Sequence, residues 1–337
     1  NPGIDPAQDE EPADYFNTIL YTGDGSSSRS LTGVGFKPDW VWTKERSSTS
    51  FHEVNDVVRG ANKQLFPNAT DAEETATNKL TSFDSDGFTV GNSGSINQSS
   101  QTYVAWNWLA GGSAVSNTDG SITSSVSANT EAGFSIVSFT TTGSTGTVGH
   151  GLSQAPEFII APQRPGSAWN IFAEPIGNTK RLRLDGTDAQ VTSGVWGNTN
   201  PTSTVFTQNI SIGTNGVIAY CFHSVVGYSA VSSYTGNGSS DGTFVYTGFR
   251  PAWLIVKRTS AVEDWHIYDN TRSPENVMKK VLFPNLSDAE ATYSSGNVDF
   301  LSNGFKWRNT GGSYNASGST YIFLAFAEQP FKYSNAR

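Results

Sequence analysis

Apolar residues fall in short, separated runs along this chain. DWVWTK from Asp39, EFIIAP from Glu157 and AWLIVK from Ala252 are β-branched and aromatic stretches bounded by Gly and Pro. YVAWNW from Tyr103, VIAYCF from Val217 and YIFLAF from Tyr321 repeat the pattern further on. Runs of this kind predict strands. In YVAWNW, alternation puts Tyr103, Ala105 and Asn107 on one side and Val104, Trp106 and Trp108 on the other, as suits a strand packed against a second sheet. FDSDGFTV and DFLSNGFKW each place a turn before a strand, with Gly87 and Gly304 where a positive φ is expected. Few helical periods interrupt the series. The expected fold class is all-β: tandem antiparallel β-sandwich, jelly-roll-like repeats with short capping helices. Spacing leaves jelly-roll and other Greek-key wirings open.

The order of these runs repeats three times. The first pass opens with YTGDG at Tyr21, continues as GVGFKPDWVWTKERS from Gly33 and ends as QTYVAWNWLAG from Gln101. The third runs YTGNG at Tyr234, YTGFRPAWLIVKRTS from Tyr246 and STYIFLAFAEQPF from Ser319. A more divergent middle pass has FTTTG at Phe139, GHGLSQAPEFIIAPQRP from Gly149 and NGVIAYCFHSV from Asn215. From the proline before the second run to the last aromatic of the closing run there are about 70 positions (Pro38 to Trp108), about 66 (Pro156 to Phe222) and about 75 (Pro251 to Phe326), close enough for loop insertions in one fold. The expected division is an acidic arm or linker at 1–14 and three β-sandwich repeats, at 15–112, 130–228 (divergent) and 229–337, standing in a row. A further linker is expected from Gly111 to Asn129, with SITSSVS as an alternative edge strand.

One phrase recurs almost verbatim: LFPNATDAEET at Leu65 and LFPNLSDAEAT at Leu282. Thr70 with Glu73, and Ser287 with Glu290, have capping-box spacing, and Asp71 and Asp288 suit the first turn of a helix, so a short capped helix or turn is expected at each. The middle pass carries RLRLDGTDAQ there, which reads as an unrelated replacement.

Composition narrows the function. Charged residues make up 15%, aromatic residues 12%, and the formal net charge is -9. Nucleic-acid and anionic-membrane surfaces need clustered Lys and Arg, so neither is expected. The densest basic stretch, KRLRLDG from Lys180 to Gly186, reads as an edge-strand device or an intersubunit ion-pair patch. No apolar run approaches the roughly 20 residues that span a bilayer, and the opening residues lack the pattern of a signal peptide, so no membrane insertion is expected. The chain begins at Asn1 and its only Met is Met278, so a processed or partial product is expected.

No constellation for chemistry emerges. His52, His150, His223 and His266 form no metal-ligand pair. His52 and His266 follow comparable strands, which suggests shared architecture. Cys221 cannot form an internal disulfide and reads as a small core residue. GNSGS at Gly91 lacks the spacing of a serine-hydrolase elbow. Asp84 and Asp86 open like a calcium loop but lack its later acidic ligand, so a turn is expected. Glu157, Asp264 and Asp269 could form a glycosidase carboxylate pair only if folding set their separation. The N-x-S/T triplets at Asn68, Asn209, Asn237, Asn285 and Asn315 decide nothing in a chain so rich in Asn, Ser and Thr. Trp169, Trp196 and Trp265 lie in or near polar segments, where an indole can stack on a sugar or anchor a partner, though filling a gap at a sandwich edge is the simpler role. No catalytic, cofactor-binding or metal residue is assigned, no cofactor is expected, and ligand-binding residues stay unassigned.

The series YTGDGSSSRSLTGVGFKPDWVWTKERS, DVVRGANKQLF, FDSDGFTVGNSGSINQSSQTYVAWNWLAGG and GFSIVSFTTTGSTGTVGHGLSQAPEF resembles a repeated module of structural proteins of tailed bacteriophages of marine bacteria and cyanobacteria. The resemblance is dense from about Asp14 to Pro165 and returns, degraded, from about Ser232 onward. The middle pass departs from it between about Gln163 and Thr207. In relatives such modules often follow a lectin-like sandwich in tail-fibre or tail-associated proteins, and no catalytic residues carry over. The resemblance implies a non-enzymatic virion structural protein at the particle surface, a tail-fibre or fibre-like adhesion component meeting a host glycan or outer-membrane receptor. The alternatives are a capsid decoration or other architectural piece and, more weakly, a polysaccharide-cleaving tailspike. Its partners would be other virion proteins and, by analogy, two further copies of itself in a trimer.

Overall fold

Each pass builds one antiparallel sheet around four strands with the same wiring, first strand, last strand, second, third; the first and third sheets stop there, and the middle one extends to eight strands. In the first unit the order is Phe16–Thr22, Thr102–Trp108, Trp40–Glu45, His52–Asp56. In the third it is Ser229–Thr235, Thr320–Ala327, Pro251–Arg258, Trp265–Asp269. In the middle it is Phe134–Thr140, Gly216–Phe222, Phe158–Ala161, Asn170–Ala173. Register matches as well: Trp40 pairs with Trp108, Phe158 with Phe222 and Trp253 with Phe326. The structure, a computed structural model, describes residues 11–210, 213–293 and 297–328. Most of the expected arm at 1–14 and the end of the third unit lie outside the described residues.

A second, smaller sheet covers one face of each. Arg29–Thr32, Gly87–Val90 and Leu80–Asp84 form it in the first unit; Phe244–Tyr246, Gly304–Trp307 and Val298–Leu301 form it in the third. In the middle unit, among the described residues, Gly146–Gly149 and Val205–Gln208 form a two-stranded sheet there. Between the two layers of the first unit lies a core of Tyr21, Val41, Tyr103 and Ala105 against Leu31, Leu80, Phe88 and Val90. The expected alternation holds: Val104, Trp106 and Trp108 point to the opposite face. That face is also buried.

It is buried because the units do not stand in a row. The outer faces of all three large sheets meet in one aromatic core, which joins Trp40, Trp106 and Trp108 to Phe134, Phe158 and Tyr220 and to Trp253, Leu324 and Phe326. Trp40 lies 4.4 Å from Tyr220 between ring centroids, Phe16 5.1 Å from Phe326, and Phe222 5.9 Å from Phe326. Every pair of units is therefore in contact, and the three close into a ring with pseudo-three-fold symmetry. A large sheet apolar on both faces must be covered on both, because either face left open would put several indole and phenyl rings in water.

Three expectations change. The recurrent LFPN phrases start no helix: residues 70–73 and 286–290 are irregular and lead into the short strands Glu74–Thr75 and Ala291–Thr292. The two short α-helices are elsewhere, at Gly94–Asn97 and Gly312–Asn315. The stretch 111–129 is not a linker but adds strands Val115–Asn117 and Ser124–Asn129 to the middle sheet, with the former outermost. Gly87 has the expected positive φ, 144°, whereas Gly304 is required by proximity alone: a Cβ there would sit 2.1 Å from the Val245 carbonyl oxygen.

Candidate functional site

The most heavily built polar region is the set of seams between units. Strand pairing aligns KQLFPNATDAEET from Lys63 with KRLRLDGTDAQVT from Lys180 and KVLFPNLSDAEAT from Lys280, without a gap. Lys63 pairs with Thr75, Lys180 with Thr192 and Lys280 with Thr292. The middle phrase is thus a third copy, not an unrelated replacement. All three do one job. The amides of Glu73, Gln190 and Glu290 donate to the carbonyls of Arg164, Thr259 and Arg46, at 2.7, 2.9 and 2.9 Å, each across a different seam. Backbone pairing with the next unit takes the place of the expected capping box.

Charge reinforces two of the seams. Glu290 takes both Nε and Nη2 of Arg46 from the first unit, at 3.0 and 2.9 Å, and Nη1 of Arg272 in its own, at 3.0 Å. Arg272 is fully buried, pairs with Asp269, and donates Nη2 to the Ile267 carbonyl; Asp269 accepts the Trp106 indole N–H across the seam at 3.0 Å. The second seam repeats this. Glu73 holds Nε and Nη2 of Arg164 at 2.9 and 2.8 Å and Nη1 of Arg59 at 3.2 Å. Arg59 pairs with Asp56, which accepts the Tyr220 hydroxyl from the middle unit at 2.8 Å. Burial would raise the carboxyls of Glu73 and Glu290, but their arginine partners outweigh it and hold both below the ordinary glutamate value.

The third seam carries none of these charges. Asp56 and Asp269 correspond to Ala173, Arg59 and Arg272 to Ile176, Glu73 and Glu290 to Gln190, Arg46 and Arg164 to Thr259, and Trp106 and Tyr220 to Leu324. Ala173 and Leu324 lie in the central core, and Ile176 packs against it. All five positions change together, as the energetics require: a buried ion pair can be replaced by apolar groups as a set, whereas removing one member strands a charge.

Further contacts cross the seams. His52, Trp169 and Trp265 occupy one position in the three sheets, so His266 corresponds to Glu53 rather than to His52. Trp265 donates its indole N–H to the Arg183 carbonyl at 2.8 Å. His52 accepts the Trp42 indole N–H at Nδ1, so its Nε2 carries the proton and donates to the Phe283 carbonyl at 3.0 Å. Lys44 and Lys257, both pushed down to about 8 by burial, donate across their seams to the carbonyls of Ser287 and Thr187.

The other candidates are occupied in packing. None of the nine tryptophans is more than 2% exposed, so Trp169, Trp196 and Trp265 offer no indole for surface stacking. All four histidines are buried, and among the described residues no group of three or more His, Cys, Asp or Glu could share a metal ion. Cys221 is buried, and burial pushes its thiol up. Glu157 accepts from the Ser224 amide, Asp264 from Asn285, and Asp269 belongs to the seam. Asp86 accepts from the amides of Gly33 and Gly35, as a turn. Within KRLRLDG, Arg183 pairs with Asp185 and Arg181 donates to Asn170.

The sequence reading passed over the seam arginines and two buried asparagines. Asn97 donates to Asp24, Ser26 and Gly91 and accepts from the Asp24 amide, pinning the YTGDG loop; Asn315 does the same for YTGNG through Asn237, Ser239 and Asn309. The available signals were the ungapped K-x-L…D-A-[EQ]-x-T alignment and the shared D-x-x-R of Asp56–Arg59 and Asp269–Arg272.

Comparison with curated proteins finds no match for this chain. The family described as Domain of unknown function (DUF7483) matches residues 11–330, a span that takes in all three units and every seam between them, and the chain belongs to that family.

Proposed function

We propose that this chain is a non-enzymatic structural protein of a bacteriophage particle, most simply a tail-fibre or fibre-like adhesion component that contacts the host surface. The observation that carries the reading is the concerted exchange at the third seam. Where the ionisable groups are lost they are lost as a set and replaced by packing, which is how residues behave when their work is to close a ring. The carboxylates at the other two seams are fully engaged with their arginines, and none is set aside for a substrate. Rigid modules with chemically quiet interiors and Ser-, Thr- and Asn-rich connections suit repeated contact. The resemblance to tailed-phage modules supplies the particle. Assembly with other virion proteins, and into a three-fold homo-oligomer by analogy, belongs to the same proposal.

A second reading, a capsid decoration or other purely architectural virion piece, is favoured by the burial of every tryptophan, which removes the usual anchors of a recognition surface. Localisation on the intact particle by immunogold labelling tests both. Label at the tail tip together with binding of the full chain to host cells supports adhesion; label over the capsid lattice without cell binding supports decoration. Absence of the protein from purified particles would overturn the proposal.

A further inference from the structure

Among the described residues, the strands Val115–Asn117 and Ser124–Asn129 have no counterpart in the other units. They continue the middle sheet beyond Phe134–Thr140, at the edge where the first and third sheets stop. Beside them opens a cleft of about 560 Å³ that also takes in the end of Phe134–Thr140 and Arg164, within the size range of small-ligand sites.

Its lining is mostly hydroxyl. The register sets Ser116 opposite Ser125 and Ser125 opposite Ser138, so three serines stand in line across adjacent strands, roughly 4.7–4.9 Å apart. The hydroxyls of these three and of Thr140 have no hydrogen-bond partner among the described residues. A hydroxyl both donates and accepts, so such a row suits a ligand that does the same. Arg164 is held by its two bonds to Glu73, which leave Nη1 without a partner among the described residues and cancel the local charge. With a net charge of -9 on the whole chain, an anionic ligand would meet repulsion at long range and little compensation at the cleft.

We infer that this cleft binds a neutral, hydroxyl-rich glycan, its sugar hydroxyls exchanging hydrogen bonds with the Ser116–Ser125–Ser138 row and with Arg164. This rests on the adhesion reading of the preceding section and names the surface that would perform it.

The test uses the full chain on an array of neutral and anionic polysaccharides, with host-cell binding measured alongside. Neutral glycans are expected to bind. Ser125→Phe, which fills the cleft, should weaken that binding at least about tenfold, equivalent to about 1.4 kcal/mol. Ser125→Ala with Ser138→Ala should weaken it severalfold while leaving the thermal midpoint unchanged, which separates lost contacts from lost folding. Binding of anionic glycans only, no glycan binding, or neutral-glycan binding unaffected by either variant would overturn the inference. Cell binding that persists in both variants would sink the cleft while sparing adhesion; failure of the unmodified chain to bind cells would remove adhesion itself.

Discussion

Replacing Arg272 by Ile puts at the first–third seam the residue that the third seam already carries at the equivalent position, Ile176. Alone, the change should be severe. Arg272 and Asp269 are fully buried and Glu290 is nearly so, so removing the guanidinium leaves Asp269 with only neutral donors and Glu290 with Arg46 alone. Breaking a buried pair in this way costs about 3–5 kcal/mol, which lowers a thermal midpoint by about 4–7 °C in a chain of this size. The rest of the third-seam set should then restore stability. Arg46→Thr, Asp269→Ala and Glu290→Gln, added to Arg272→Ile, remove every stranded charge and leave two new orphans, the Trp106 indole N–H and the backbone amide of residue 272, both of which Asp269 accepts in the native chain. The indole is tolerable, since the indole nitrogens of Trp40, Trp108, Trp196, Trp253 and Trp307 already lack partners among the described residues, and each orphan costs about 1–3 kcal/mol. The quadruple variant should therefore recover part of the loss, read as urea midpoints and thermal scans of the three proteins side by side. A quadruple variant no more stable than the single would refute the idea that the five positions act as one mutually compensating set.

Acid should weaken the fold before carboxylates titrate. Burial holds His52 well below its ordinary value of 6.5, His150 at about 4 and His266 at about 3. The unfolded chain then takes up protons first, and stability is fully present above pH 6.5 and lost below it, by about 2 kcal/mol for each histidine between pH 7 and 5. His150 accepts the Leu152 amide at Nδ1 and contacts the Thr202 carbonyl through Nε2, so protonating it sets two donors against each other; His150→Gln should flatten the urea-midpoint profile by its share. Asp39 and Glu53, raised by burial, act in the opposite sense, and a midpoint constant from pH 7 to 5 would contradict the histidine argument. Asn97→Ala should cost about 3 kcal/mol by stranding several loop groups at once, with faster amide exchange across residues 23–26; unchanged exchange there would show that Asn97 does not hold the loop. Cys221 should resist thiol reagents in the native protein and react on unfolding, and native labelling at an ordinary cysteine rate would contradict its burial.

Much of the fold was legible because it rests on local rules. Strand runs, their alternation and the three-fold recurrence follow from residue order, since side-chain direction in a strand has a period of two whatever it packs against. The alternation in YVAWNW assigned each residue to its face. It did not reveal what lay beyond the second face, because apolar residues look alike whether a sandwich partner or two further sheets cover them. Thr70–Glu73 and Ser287–Glu290 misled for a related reason: the spacing of a capping box is a local preference of a few kcal/mol at most, and pairing with Arg164 and Arg46 across the seams outweighs it. Trp169 and Trp265 resembled surface indoles because their neighbours in sequence are polar, while their neighbours in space come from another strand or another unit.

The residue order alone thus determined an all-β chain of three like units, with strands, turns and core-facing positions in place, because those depend on contacts and propensities within a few residues. Tertiary structure decided that the units close on one another, that their acidic and basic groups meet at two seams and vanish together at the third, and that a hydroxyl-lined cleft opens in the middle unit. The charged pairings across the seams join residues 91 and 244 positions apart, and no local pattern specifies which distant partner a side chain will meet.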